Sequence, residues 1–419
     1  MNAITPPAVT LSEGQQNAYN RYASFIAKPD PGILVIAGYA GTGKSTLVER
    51  LLSDTEKMLK TGALLTQAPK QWEMQLAATT HKAAEALTEI TQCPVATIQS
   101  VLKLVVDKNY STNKTELIPR YDCVNLVSTI LFIDEASFID QNLLDLIVKL
   151  TKECKVIFIG DPAQLTPVKS KTTPVFTQGF DTVSLEDVVR QAKDNPIIEL
   201  ATNFRNVVNG EPFFQFTPDN HHIVRLPRGD FQRKIVEDFS APGWTYNTSK
   251  VLAWRNKVVE EYNFDIREHV QGDPELGVGD YALVNEYVNI GRTSLKSNQL
   301  VKITSITPEQ SYGVDGWSVG INNTIHAFLP KNIGARASLE KQLKKQGRIQ
   351  DLKNIATHWV DLRAAYACTI NKSQGSTYDS VFIDLDDVGR CKDGIQIARL
   401  LYVAVSRARH HVYMTGDLV

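Results

Sequence analysis

The order of apolar runs predicts an α/β chain: two parallel-sheet domains, the second interrupted by a β-rich insert. Three observations carry this. Short apolar runs (Ile33–Ala37, Thr129–Ile133, Val156–Ile159) alternate with helical patterns such as Lys82–Ile90 and Leu143–Leu150. Strands alternating with helices pack as a parallel sheet covered on both faces. The same alternation returns later, at Ala365–Ile370, Val381–Leu385 and Ile397–Arg407. Between the two, from Gly277 to Phe328, short runs (Tyr281–Val284, Leu300–Ile306, Trp317–Ile321) are split by turn residues, the mark of a small β-rich unit.

Taken in order, Ile33–Ala37 is a buried strand, followed by glycines and a helix that starts near Lys44. Gly62–Gln67 opens a further strand-like stretch. The polar Asn209–Gly243 stretch, with its prolines and glycines, divides the two halves. A strand at Val251–Trp254 and a helix from Asn256 to His269 follow. A helical candidate at Ala335–Ile355 brings Leu339, Leu343 and Leu352 to one face. The expected domains are therefore 1–190, with a hairpin insert near 102–124; 191–276 together with 359–419; and the insert 277–358.

Composition narrows the class. With 43% hydrophobic and 22% charged residues over 419 positions, the chain has material for two or three ordinary cores. Its apolar runs are too short to cross a bilayer. The N-terminus has no basic stretch leading into an apolar core, so the expected compartment is the cytoplasm, with no membrane partner. Five widely spaced cysteines without a C-x-x-C pair point to reduced thiols rather than a disulfide framework or zinc site. The histidines include two adjacent pairs, His221–His222 and His410–His411, but no H-E-x-x-H. A net charge of −1 argues against a protein that coats nucleic acid by bulk electrostatics, while leaving room for a locally positive groove.

The first chemical signal is Gly38-Tyr39-Ala40-Gly41-Thr42-Gly43-Lys44-Ser45, a full G-x-x-x-x-G-K-[ST] between an apolar strand and a helix. Gly38, Gly41, Thr42 and Gly43 let backbone N–H groups curl around phosphates at the positive end of the helix dipole. Lys44 is expected to reach the β- and γ-phosphates of ATP. Ser45, beside Thr46, is expected to give its hydroxyl to Mg²⁺. The second signal is Leu131-Phe132-Ile133-Asp134-Glu135-Ala136, an apolar strand ending in two carboxylates. Asp134 would hold Mg²⁺ through water and Glu135 would orient or deprotonate the attacking water. A third strand runs into Gly160-Asp161-Pro162-Ala163-Gln164, placing Gln164 to touch the γ-phosphate or its water.

At these residues the sequence resembles the superfamily 1 helicases, specifically the 5′→3′ branch (1B) that holds the phage Dda-type and RecD-like enzymes. The matches follow the family's order. Leu11-Ser12-Glu13-Gly14-Gln15 resembles the Q motif, which implies that Gln15 reads the adenine edge. Ala78-Thr79-Thr80-His81-Lys82-Ala83-Ala84 resembles motif Ia and Thr97-Ile98-Gln99-Ser100 motif Ib, and both imply contacts to single-stranded DNA. Asp134–Ser137 resembles motif II, Gly160–Pro167 motif III and Val189-Arg190-Gln191 motif IV. Ala367–Ser376, with Thr369, Lys372 and Gly375, resembles motif V, and Tyr402–Ala408 motif VI. The resemblance implies two RecA-like P-loop domains and an SH3-like insert. It also implies that Arg190 and Arg407 are arginine fingers on the γ-phosphate, as suits a motor whose hydrolysis waits on cleft closure. Two departures stand out. Asn371-Lys372 replaces the usual His-Lys, and Thr377 stands where a ribose-contacting Glu often follows, so sugar selectivity is not implied.

For DNA, Thr80 and His81 make one expected grip, with Thr97 and Gln99 beside it, and Thr369 and Lys372 make the other. Hydroxyls and a lysine suit phosphate contacts, and an imidazole can stack on a base. In the hairpin insert, Leu117, Ile118 or Pro119 is the expected apolar tip of a strand-splitting pin. Lys331–Lys353 carries seven Lys or Arg against two acids, which reads as a solvated helix face or as a surface for DNA or a partner. The expectation is a monomeric ATP- and Mg²⁺-dependent helicase on single-stranded and tailed duplex DNA. Single-strand-binding or replication proteins are candidate partners, and the host cytoplasm is the compartment if a phage encodes the chain. A translocase that displaces proteins with little unwinding, or a P-loop switch without motor activity, remain the alternatives.

Overall fold

The computed structural model describes residues 10–66, 70–109, 114–167, 170, 172–186, 195–273, 275–291, 293–297 and 299–418. The chain forms two compact units, with Glu211 ending the first and Pro212 opening the main body of the second.

The first unit runs α1 (Glu13–Ala27), β1 (Gly32–Gly38), α2 (Lys44–Thr66), β2 (Glu73–Ala78), α3 (His81–Thr91), β3 (Val95–Thr97) and α4 (Ile98–Val101). A hairpin of β4 (Leu104–Asn109) and β5 (Lys114–Pro119) follows, then β6 (Val127–Asp134), α5 (Gln141–Leu150), β7 (Glu153–Gly160), α6 (Pro174–Thr177), β8 (Asp181–Leu185) and α7 (Pro196–Val208). The main sheet has the order β3-β2-β6-β7-β1-β8 and is parallel throughout. Its central strands are apolar on both faces because helices cover both. Leu34, Ile36, Ile130, Phe132, Ile157 and Ile159 point into the core with α1 and α2. Val35, Leu131, Ile133, Val156 and Phe158 point into the core with α5. The twofold alternation of a strand thus splits one apolar run between two cores.

The parallel sense fixes where chemistry gathers. Ala78 is in register with both Thr97 and Asp134, and Ala37 with Gly160. The strand ends that lead into the phosphate-binding loop, the carboxylate pair and the two expected DNA motifs therefore lie along one carboxyl edge of one sheet.

The second unit begins with β9 (Ile223–Arg225), α8 (Arg228–Phe239), β10 (Ser249–Ala253), α9 (Asn256–Gln271) and β11 (Tyr281–Val284). The small hairpin β12 (Val288–Ile290) and β13 (Thr293–Leu295) precedes β14 (Leu300–Ser311), β15 (Val314–Ile321), β16 (Ile325–Pro330), α10 (Ile333–Lys345) and α11 (Ile349–His358). The chain closes with β17 (Leu362–Ala364), β18 (Ala367–Thr369), α12 (Ile370–Ser373), β19 (Tyr378–Asp384), α13 (Leu385–Val388), α14 (Gly394–Val405) and β20 (Ala408–Thr415). Its parallel sheet has the order β18-β10-β19-β20-β9. The insert is an antiparallel sheet, β16-β15-β14-β11-β17, with its own core of Val301, Ile303, Val319 and Ile321.

Several expectations need correction. The boundary falls after Glu211 rather than after residue 190, because α7 belongs to the first unit and its Arg205 guanidinium lies over the ring of Tyr39. The insert sheet runs on to Ala364, since β17 pairs with β11. Gly62–Thr66 is no strand: it ends α2, where Leu64 and Leu65 stand exposed, while Gln67 lies outside the described residues and the strand comes later at β2. Ala335–Ile355 is two helices, broken where Gly347 takes φ +66. The polar Asn209–Gly243 stretch carries β9 and α8. The expected pin tip is also misplaced. Leu117 and Ile118 lie toward the base of the hairpin, where Arg120 N–H donates to Lys103 O at 2.9 Å and Leu117 packs on the first-unit core.

Among the described residues no helix is long and apolar enough to cross a membrane. None of their His, Cys, Asp and Glu side chains form a group of three placed to hold a metal ion.

Candidate functional site

The phosphate-binding loop joins β1 to α2. Gly41 and Gly43 have φ of +77 and +72, a conformation that side chains resist and that turns successive N–H groups toward a common centre. Lys44 Nζ donates to Gly38 O at 2.7 Å and Tyr39 O at 2.9 Å. Ser45 is exposed and Thr46 half-buried in the first turn of α2, while Thr42 is buried.

Gln15 sits differently from its expected role. Its backbone N–H donates to the Ser12 hydroxyl oxygen at 3.3 Å and its Oε1 accepts Ser12 N–H at 2.9 Å, a capping box that starts α1. Its Nε2 donates to Thr42 O at 3.1 Å and Gly43 O at 3.2 Å. A carboxamide has two N–H donors, and both serve the loop. Gln15 therefore straps α1 to the phosphate loop.

At the end of β6, Asp134 Oδ1 accepts Glu135 N–H at 2.8 Å. Burial pushes the Asp134 carboxyl above the usual carboxylate range, opposed by that N–H and by the positive charge of Lys44. Glu135 has φ +53, a left-handed conformation that costs a non-glycine residue about 1–2 kcal/mol and is tolerated where the surroundings enforce it. Those surroundings include Thr79, which neither catalytic nor DNA expectations singled out. Thr79 N–H donates to Asp134 O at 3.2 Å and its hydroxyl to Glu135 O at 3.0 Å. Thr79 was visible inside its motif, but only the fold shows that it grips the next strand. Gln164 is buried, its Oε1 accepting the Ser137 hydroxyl at 3.4 Å, so the third strand's turn is tied to the second's.

The residues present suit a nucleotide with a hard dication: glycines that free N–H groups, a lysine, and an oxygen set of hydroxyl and carboxylate.

Three threonines expected on DNA are helix N-caps. Thr80 accepts Ala83 N–H at 3.1 Å, Thr97 accepts Ser100 N–H at 3.3 Å, and Thr369 accepts Lys372 N–H at 3.3 Å. Capping uses the oxygen as acceptor and leaves the O–H as a donor. His81 opens α3 and Gln99 lies in α4, both half-buried. Lys372 Nζ donates to Asn285 Oδ1, from the insert, and burial together with nearby Arg363 holds its pKa below the usual lysine range. Asn263 of α9, not foreseen, accepts Tyr366 and Ala367 N–H at 3.1 and 2.8 Å and so fixes the strand that leads to Thr369.

Arg407 is buried at the end of α14. Its guanidinium donates to Val403 O, Ser376 O and Ser406 Oγ at 3.1, 3.3 and 2.8 Å, joining the last helix to the turn that contains Gly375. Gly375 itself has φ +70. Arg190 lies outside the described residues, as does the whole Val189-Arg190-Gln191 motif.

A sequence profile described as "AAA domain" matches residues 10–223, about half of the chain, and one described as "UvrD-like helicase C-terminal domain" matches residues 364–415. The chain is 25% identical to the "ATP-dependent DNA helicase dda" of Enterobacteria phage T4, over 96% of this chain and 98% of that one. It is 24% identical to the "ATP-dependent RecD2 DNA helicase" of Deinococcus radiodurans, over 97% of this chain and 49% of that one. Among solved structures, the Bacteroides Pif1 helicase in complex with ADP-AlF3 and ssDNA aligns over 98% of this chain and 93% of that one, at 18% identity and TM-score 0.49.

Proposed function

The chain belongs to the superfamily 1B DNA helicases, and from that premise we propose that this ATP-dependent DNA helicase moves 5′→3′ along single-stranded DNA. The observation that carries the reading is the shared carboxyl edge of the first sheet. The loop of Lys44, the Asp134–Glu135 pair and the caps at Thr80 and Thr97 all leave the same edge. A change at the phosphates then has a direct route to a DNA grip, because Thr79 bonds the backbone of Asp134 and Glu135 while Thr80 caps the next helix.

Lys44 draws the β- and γ-phosphates, Ser45 and Asp134 would hold Mg²⁺, Glu135 takes the proton of the attacking water, and Gln164 orients that water. The dication, when bound, neutralises charge on the phosphate oxygens. In the second unit Thr369 and Lys372 form the other grip, and Arg407 of that unit, together with Arg190 from the first part of the chain, stabilises charge developing on the γ-phosphoryl group. The domains are proposed as 1A up to Glu211, 2A as the second parallel sheet, and 2B as the insert. The chain is proposed to act as a monomer in the cytoplasm.

The test is strand separation of two matched duplexes, one with a 5′ and one with a 3′ single-stranded tail, with Lys44→Ala as control. Unwinding of the 5′-tailed duplex alone, lost in the control, is expected. Unwinding of the 3′-tailed duplex alone refutes the polarity. DNA-stimulated hydrolysis without unwinding points to the protein-displacing translocase instead.

A further inference from the structure

Tyr39 is the residue around which the phosphate loop is organised. Its carbonyl accepts Lys44 Nζ at 2.9 Å, the Thr42 hydroxyl at 2.8 Å and Thr42 N–H at 3.4 Å. Its side chain is held from α7. The Arg205 guanidinium lies 4.4 Å from the ring centroid, and Asn209 Nδ2 donates to the Tyr39 hydroxyl at 3.3 Å. A guanidinium stacked on an aromatic face is attracted by the ring quadrupole, more strongly as water is excluded.

Arg205 is not an ordinary surface arginine. Its Nε is buried and, among the described residues, has no hydrogen-bond partner, while its Nη2 donates to the neighbouring Asn206 Oδ1 at 3.4 Å. Among the described residues no carboxylate pairs with it. A buried donor left unmatched is unfavourable, so the position trades solvation for the stack on Tyr39. The opposite shoulder of the loop is held by Gln15 through Thr42 O and Gly43 O. The loop is thus gripped at both ends by side chains from helices that flank it in space but not in sequence.

We infer that Arg205, supported by Asn209, is a positioning residue for nucleotide binding: through Tyr39 it sets the backbone carbonyl that orients Lys44. The inference rests on the nucleotide site proposed above and adds α7 to it. It also gives a reason for α7 to stay with the first unit.

The test is equilibrium binding of a fluorescent N-methylanthraniloyl ADP to the full chain, with Arg205→Met, Tyr39→Leu, the double variant and Arg205→Lys. Each single variant is expected to weaken binding by about tenfold, the scale of one partly desolvated cation–π contact. The double variant should be no weaker than the poorer single, and Arg205→Lys should recover part of the loss. In ATP hydrolysis the defect should appear in KM and not in kcat. Wild-type affinity in Arg205→Met, or losses that add in the double variant, overturns the inference. So does a lowered melting temperature with unchanged affinity, which would assign the pair to packing alone. Because binding is read without DNA, an absence of DNA-stimulated hydrolysis would refute the motor reading and leave this result legible.

Discussion

At the scale of single residues, the hydrogen bonds of Gln15 separate two roles that a motif cannot. A glutamine that reads adenine has to offer its carboxamide to the base, whereas here both Nε2 hydrogens go to the loop carbonyls of Thr42 and Gly43. Gln15→Ala is therefore expected to weaken ATP and GTP alike, and to cost about 1–2 kcal/mol of stability through the lost capping box and strap. Competition binding of the two nucleotides, with urea unfolding alongside, checks this. A selective loss of ATP preference would return Gln15 to base reading. The threonines teach the same lesson. Thr80, Thr97 and Thr369 were expected on DNA for their hydroxyls, and each is also the cap that sets the direction of the helix after it.

Elements show where burial overrides residue type. Lys155 is a charged residue on β7, two positions after the exposed Glu153 that opens the strand, yet it is fully buried. Its ammonium donates to Phe25 O and Asp30 O, both at 2.8 Å, and lies 4.6 Å from the Phe25 ring centroid. Burial lowers its pKa to about 8. The folded value is depressed below that of the unfolded chain, so between about pH 8 and pH 10.4 the unfolded state holds a proton that the folded state has released. Stability should therefore rise with pH across that window, by no more than about 3 kcal/mol. Below it the contribution is a constant penalty. Denaturant unfolding from pH 7.5 to 10.5 should show this slope in the native chain and its loss in Lys155→Met. Equal slopes would mean that water reaches the ammonium.

For the whole molecule, the proposal that the second unit completes the hydrolytic site falls on Arg407. The residue is buried and bonded within its own unit, to Val403, Ser376 and Ser406. Lysine keeps the charge but not the planar fork of donors. Arg407→Lys is expected to reduce DNA-stimulated ATP hydrolysis by about a thousandfold, the lower end of the range for an arginine finger. Nucleotide binding by the first unit should persist. Hydrolysis and fluorescent-ADP binding measured together decide it: joint loss of both would make Arg407 a structural tie only.

The sequence by itself determined the class of fold and the chemistry of the first site. Apolar runs of strand length between helical periods can be buried only in a parallel sheet covered on both faces. A strand–glycine–lysine–helix order admits few alternatives because the loop geometry is local. Tertiary structure alone decided whatever depends on distant partners. No local pattern could place Arg205 on Tyr39, carry α7 into the first unit, or set Asn263 beneath the strand to Thr369. The two histidine pairs, which look unrelated along the chain, stack together at the edge of the second sheet because β9 pairs with β20. The hairpin failed for the opposite reason. Leu117 and Ile118 looked like a tip because they are apolar, but which residues turn is set by strand pairing, and pairing left them near the base. Local chemistry is written in nearest neighbours, whereas register and packing are settled by burial across the whole chain.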